Sequence, residues 1–152
     1  RTCVWAHAGH ISRDSDGGET AMGKHLAAVA AHHYYPIGFY VYEGSVRAWD
    51  AAGEIGVISH PMPRAADYMV EGAVMAATGA PDIAWLPVHD FSPALRTWAE
   101  TPRYLREVGA IYFDEEDSLT LRDVPAEFDA IVVIKSGHDS SPTPTGVRKA
   151  DE

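Results

Sequence analysis

Only one cysteine, Cys3, occurs in 152 residues. That excludes an internal disulfide and a zinc site built from several thiolates, and it favours a reducing compartment, the cytoplasm. Long hydrophobic runs are missing as well. The stretch from Ala126 to Ile134 is broken by Glu127 and Asp129, and nothing approaches the ~20 apolar residues that span a bilayer. Positive charge is scarce: 12 Lys and Arg stand against 22 Asp and Glu, a formal net charge of -10. The basic residues are scattered, which speaks against nucleic acid and favours a cationic small molecule as partner, with solubility as the plainer role of the acidity. No GxGxxG, P-loop, GxSxG or HExxH pattern is found, so dinucleotide, ATP, serine-hydrolase and zinc-protease chemistry lack their usual signatures. No cofactor is expected.

What remains reads as one globular domain, with 46% hydrophobic residues and a mean hydropathy of -0.17. That is enough chain to bury a core. Thr2 to Ala6 (TCVWA) is β-branched and aromatic, which predicts a buried strand with Cys3 inside it. Ser12 to Thr20 is polar and Gly-rich, a loop, and Glu19 and Thr20 stand where they can cap a helix over residues 21–33. There, Met22, Leu26, Val29 and Ala30 share a face. Ile37 to Tyr42 is strand-like, and the Gly-punctuated stretch 43–62 predicts a β-hairpin excursion. Pro63 opens a second helix, residues 64–78, with Gly79 as its stop. Asp82 to Val88 is a strand limited to an edge by Pro87. Ser92 and Pro93 start a short helix, an apolar run follows at 106–113, and Phe128 to Lys135 (FDAIVVIK) is the strongest strand. The expected fold is α/β, a mostly parallel sheet flanked by helices and covered on both faces, over residues 1–136. Residues 137–152 read as a loop or flexible tail.

The chemistry concentrates in "VWAHAGHISR". Open parallel sheets bind ligands at strand carboxyl ends, and His7 and His10 follow directly on the first expected strand. An imidazole titrating near neutrality takes a proton from water or donates one, which suits hydrolysis. The same HxxH pair suits metal ligation if Glu43, His60, His89 or Asp90 supplies a third ligand, although no spacing selects one. Ordinary structural histidines are the third option. Elsewhere His32 and His33 end a helix, where imidazolium complements the dipole. His89, at a strand end, and Glu43 are lesser, substrate-binding candidates.

Taken in order, "VWAHAGHISR", "MGKHL", "YYPIGFYVYEGSVRA", "LREVGAIYF" and "FDAIVVI" resemble the C-terminal half of the erythromycin esterase family. The family shows a strand ending in AHNxH, an MGxxL helix start, a YxxIGxxxxxG strand, an RxxG segment and an FDAxxxI strand. The resemblance implies an α/β hydrolase that opens a carboxylic ester or macrolactone without a metal, as in macrolide antibiotic resistance, its water activated by a histidine of the family's N-terminal half with acidic and basic side chains of that half. It matches His7 and His10 to the AHNxH histidines, with substrate positioning and transition-state stabilisation as their implied roles. Ala8 departs from the family's asparagine. The chain corresponds to the family's second half, so the resemblance further implies pairing with an N-terminal half, or a homodimer through the edge of strand 2–6. A metal-dependent hydrolase using the HxxH pair and a non-enzymatic binding half-domain are the alternatives.

Overall fold

The computed structural model describes residues 2–14, 21–51, 53 and 56–138. The tail beyond residue 138, the proposed caps Glu19 and Thr20, and residues 52, 54 and 55 of the hairpin tip lie outside them.

The first departure from expectation is at the start. Among the described residues, 2–6 have no strand partner, and Val4 and Trp5 are 50% and 80% exposed. Cys3 is exposed too. The apolar content of TCVWA is real, but among the described residues no neighbouring backbone offers it a ladder, and the expected buried strand and its edge do not form there. Instead the chain turns into α1 (Ala8–Ile11), a single helical turn for which His7 is the N-cap. Helix α2 (Met22–Ala30) follows and tightens into a 3-10 turn over Ala31–His33.

The sheet is built around β1 (Ile37–Asp50), which runs through the expected strand and into the hairpin without a break. β1 turns back into β2 (Val57–Met62), antiparallel, with Gly44 opposite Met62 and Trp49 opposite Val57. The hairpin over residues 43–62 is therefore present. Helix α3 (Val70–Thr78) starts six residues later than expected, because 63–69 pack as irregular chain, and it ends on left-handed Gly79. Then come β3 (Ile83–Pro87), a 3-10 turn at Val88–Asp90, and α4 (Pro93–Ala99), which Ser92 caps by accepting from the Leu95 N–H at 3.2 Å. Strands β4 (Arg103–Arg106), β5 (Ile111–Tyr112) and β6 (Leu119–Arg122) are short. Helix α5 (Val124–Glu127) leads into β7 (Ala130–Gly137).

The main sheet has the order β2-β1-β7-β3, with β5 also pairing β1, while β4 and β6 form a separate antiparallel pair. β1 is parallel to β7 and to β5, but β2–β1 and β3–β7 are antiparallel. The expectation of a mostly parallel sheet is thus corrected to a mixed one. A tight hairpin can only return antiparallel, and no crossover constrains β3 to run with β7. At the end of the β1–β7 ladder Gly44 faces Gly137. At φ 137° and with the Gly137 carbonyl 1.8 Å from where a Cβ would sit, only glycine fits.

Alternation along the strands sorts the sheet into two faces. One face carries Tyr40, Val133 and Ala84 in register and packs with Val70, Val74, Met75, Leu105, Val124 and Phe128 as the core. The other carries Phe39, Val132 and Trp85 in register. Phe39 is 43% exposed and Trp85 52%, with the Trp5 ring lying over Phe39 at 5.1 Å between centroids. Among the described residues only the first face has a full cover.

Candidate functional site

His7 reaches its position as a cap. Its Nδ1 accepts the Gly9 N–H at 3.3 Å, satisfying one of the free amides of the first helical turn. A neutral imidazole whose Nδ1 accepts carries its proton on Nε2, so the outward nitrogen of His7 is a donor. His10 lies one turn on, its ring 6.0 Å from that of His7 between centroids and inclined at 69°. The turn is tied down beyond its end. The Arg13 N–H donates to the Glu127 carbonyl at 3.1 Å, the Tyr34 hydroxyl donates to the Ile11 carbonyl, and the Arg13 guanidinium pairs with Asp129.

Below this turn is a cavity of about 160 Å³ lined by His7, Ala8, Phe39, Tyr40, Val41, Val46, Met62, Arg106, Glu107 and Val108. Its polar wall belongs to a buried ionic network. Arg122 grips Glu107 with two parallel bonds, Nε to Oε1 at 3.2 Å and Nη2 to Oε2 at 2.7 Å, and donates from Nη1 to Glu127 Oε2 at 3.1 Å. The Tyr40 hydroxyl adds a bond to Glu107 Oε1 at 3.3 Å. Arg106 stands beside it, its guanidinium bonded to Glu115 at 2.6 Å and to the carbonyls of Pro63 and Tyr42 at 2.9 and 3.3 Å. Such forks are favoured where a carboxylate must be held in one orientation.

Burial shifts the acidic members. Glu71, fully buried, accepts the Arg106 backbone N–H at 2.8 Å through Oε1 while Oε2 has no partner. Desolvation pushes its carboxyl up to about 7, against the opposing pull of that N–H. Burial likewise pushes Glu127 up to about 7, against the pull of Arg122. The Tyr40 hydroxyl is held well above its ordinary value by burial and by the neighbouring Glu107.

A larger hollow of about 830 Å³, mostly apolar, lies between residues 2–6, α2 and the start of β1, lined among others by Trp5, Ile11, Leu26, Tyr35, Ile37 and Phe39. Phe39 borders both spaces. A volume of this size falls in the small-molecule range.

The four residues singled out in the sequence thus separate. His7 lines the small cavity and His10 stands beside it on the same turn. Glu43 does not line it; its carboxylate accepts from the Arg64 Nε at 2.8 Å on the hairpin. His89 is exposed next to Asp90, Nε2 to Oδ1 3.2 Å, at the far end of β3. Among the described residues no group of three or more His, Cys, Asp or Glu converges as a metal site would require. Sequence reasoning missed Glu107, Arg122, Glu127, Arg106 and Glu71. Their traces were slight: Glu71 is one acid in the apolar helix run MVEGAVM, Arg106 and Glu107 open the quoted REVG segment, and Glu127 interrupts an apolar run.

The class defined by this arrangement is a mixed α/β domain with a histidine-capped turn over an ion-paired cavity. The erythromycin esterase family model matches residues 1–137, and the chain belongs to that family. Among solved structures, a Bacillus cereus protein superposes with a TM-score of 0.72 at 18% identity, over 88% of this chain and 33% of its own. A succinoglycan biosynthesis protein gives 0.71 at 18%, over 88% and 32%. A histidine-to-asparagine mutant of the erythromycin esterase EreC, in its open conformation, gives 0.58 at 20%, over 89% and 32%. The chain spans about a third of the length of these structures. No curated protein matches the sequence significantly. Among the described residues no helix is long and apolar enough to cross a membrane.

Proposed function

We propose that residues 1–137 form the C-terminal part of an erythromycin-esterase-like domain and carry the histidine side of an ester-hydrolase site. The observation behind this reading is the His7 cap. With Nδ1 engaged by Gly9, His7 offers an Nε2–H donor, the group that suits an ester carbonyl oxygen as it gains negative charge. To His10, whose ring is 6.0 Å away, we assign the proton of an attacking water. The proton leaves water for His10, the hydroxide oxygen bonds to the carbonyl carbon, and the tetrahedral oxyanion accepts from His7. Collapse then expels the alkoxide, which recovers a proton from His10. The 830 Å³ hollow beside the turn suits an apolar acyl or ring portion, and the net charge of -10 favours a substrate that also bears a cation.

The test is hydrolysis of a panel of p-nitrophenyl esters and erythromycin by this chain and by a polypeptide that extends it to the length of its solved relatives. EDTA is included throughout to separate metal-dependent turnover. His10→Asn is expected to lower kcat about 100-fold or more, as loss of a general base does. His7→Asp keeps the cap but removes the donor, and a similar fall in kcat with little change in KM is expected. If both variants retain full turnover of an ester the parent cleaves, the assignment is wrong.

A further inference from the structure

We propose that Arg122, through its fork with Glu107, is the positioning residue of the His7–His10 turn. The inference rests on the reading of these two histidines as site residues. Its physical basis is the crowding at Gly9, between them. A methyl group at Gly9 would stand 3.1 Å from Arg122 Nη2, 3.5 Å from His7 Nδ1 and 3.6 Å from Glu107 Oε2. Guanidinium, imidazole and carboxylate therefore surround one point, and the glycine leaves it free so that the helical turn can sit directly on the ion pair.

The seat itself is rigid. Arg122 and Glu107 share a two-bond fork, and each side chain is 6% exposed. The remaining Arg122 nitrogen reaches Glu127, whose main-chain carbonyl holds the Arg13 N–H at 3.1 Å. The turn thus abuts the Arg122–Glu107 pair at Gly9 and is held at Arg13 by the residue that completes the Arg122 triad. Glu107 faces Arg122 and the Tyr40 hydroxyl directly. Arg106 and His7 share its cavity. The two nearest buried carboxylates are Glu127 and Glu71. A lysine in place of Arg122 keeps the charge but supplies one point donor where three directed bonds are made. A displacement of about 1 Å at a reacting group costs up to ~100-fold in rate.

The experiment uses the whole chain with Arg122→Lys, Gly9→Ala and Glu107→Gln. The first readout is the pair of ring-nitrogen signals of each histidine in long-range ¹H–¹⁵N spectra, recorded above neutral pH. His7 in the parent is expected to show one tautomer, with Nδ1 as acceptor. In Arg122→Lys and Gly9→Ala the two His7 signals are expected to move toward each other, while those of His60 stay fixed. His60 is buried on β2 and bonded through Nε2 to the Ala48 carbonyl, so it reports loosening of the fold at large. Unchanged His7 signals in both variants overturn the proposal. So does a His60 change that accompanies the His7 change, because Arg122 then only supports the fold. Should Arg122→Lys fail to fold, Gly9→Ala and Glu107→Gln decide. The second readout is p-nitrophenyl butyrate hydrolysis, with kcat expected to fall up to ~100-fold while KM stays within about twofold. If neither the parent nor the polypeptide extended to the length of its solved relatives cleaves an ester, the hydrolase reading fails, and the ring signals still decide the role of Arg122.

Discussion

Replacing Glu71 with glutamine tests how the buried network responds to pH. The side chain is fully buried, one oxygen accepts from the Arg106 backbone at 2.8 Å, and the other has no partner. Burial moves the carboxyl from 4.5 to about 7 in the fold. The folded chain therefore keeps a proton that the unfolded chain gives up. The associated stability is fully present below about pH 4.5 and is lost as pH rises through about 7. At ~1.4 kcal/mol for each tenfold in proton affinity, the loss comes to about 3 kcal/mol across that window. Glutamine retains the acceptor for Arg106 and cannot ionise, so the variant should lack this slope. Its unpartnered amide costs about 1–3 kcal/mol at every pH, which leaves it weaker than the parent in acid and level or better above pH 7. Urea unfolding followed by tryptophan fluorescence at pH values from 4 to 8 measures both curves. Glu127, pushed up in the same direction, slopes both curves alike and cancels in the difference. Parallel curves for the two proteins would refute the assigned charge state of Glu71.

Two further substitutions test the frame around the site. Gly44→Ala places a methyl 1.8 Å from the Gly137 carbonyl at a φ of 137°, on the central β1–β7 ladder. A loss of about 3 kcal/mol or more is expected in urea unfolding. Phe128→Ala empties a position 1% exposed, where the ring meets Tyr40 edge-on at 6.3 Å. It should cost ~3–5 kcal/mol, lower the thermal midpoint and loosen the Tyr40 hydroxyl that supports Glu107.

The legible part of this molecule is its local part. FDAIVVIK, IGFYVY and the Gly-punctuated hairpin became β7, β1 and β1–β2, and Ser92 with Pro93 began α4, because each signal is contained within a few residues. TCVWA misled because strand composition does not supply a strand partner, and in its absence Trp5 lies 80% exposed over Phe39. Strand direction misled for the same reason, since alternating helices and strands do not say which way β3 crosses β7. At the site, His7 and His10 were visible as a motif, whereas Arg122 and Glu107 were not. Those two come from β6 and the end of β4, so the contact that makes them matter is long-range. The continuous apolar run IVVI predicted cover on both sheet faces. Phe39 and Trp85 on the second face remain 43% and 52% exposed, so among the described residues that cover is incomplete.

Stability alone does not account for the ionic network beneath the histidine turn. Arg122 meets two carboxylates, Arg106 a third, and Glu71 lies against the Arg106 backbone, so two cations face four acids in largely buried surroundings. If all four acids were ionised the cluster would carry two uncompensated negative charges, and burial resists that by raising Glu71 and Glu127 to about 7. Apolar side chains of the same shape stabilise a fold as well as buried ion pairs do, or better. Directed forks achieve something that leucines cannot, which is to fix a carboxylate and a helical turn in one relative orientation. At Gly9, that orientation brings His7 Nδ1, Arg122 Nη2 and Glu107 Oε2 around a single point. The ionic groups are concentrated beneath the histidine turn, and on the function proposed above that placement, more than any gain in stability, is what their desolvation cost secures.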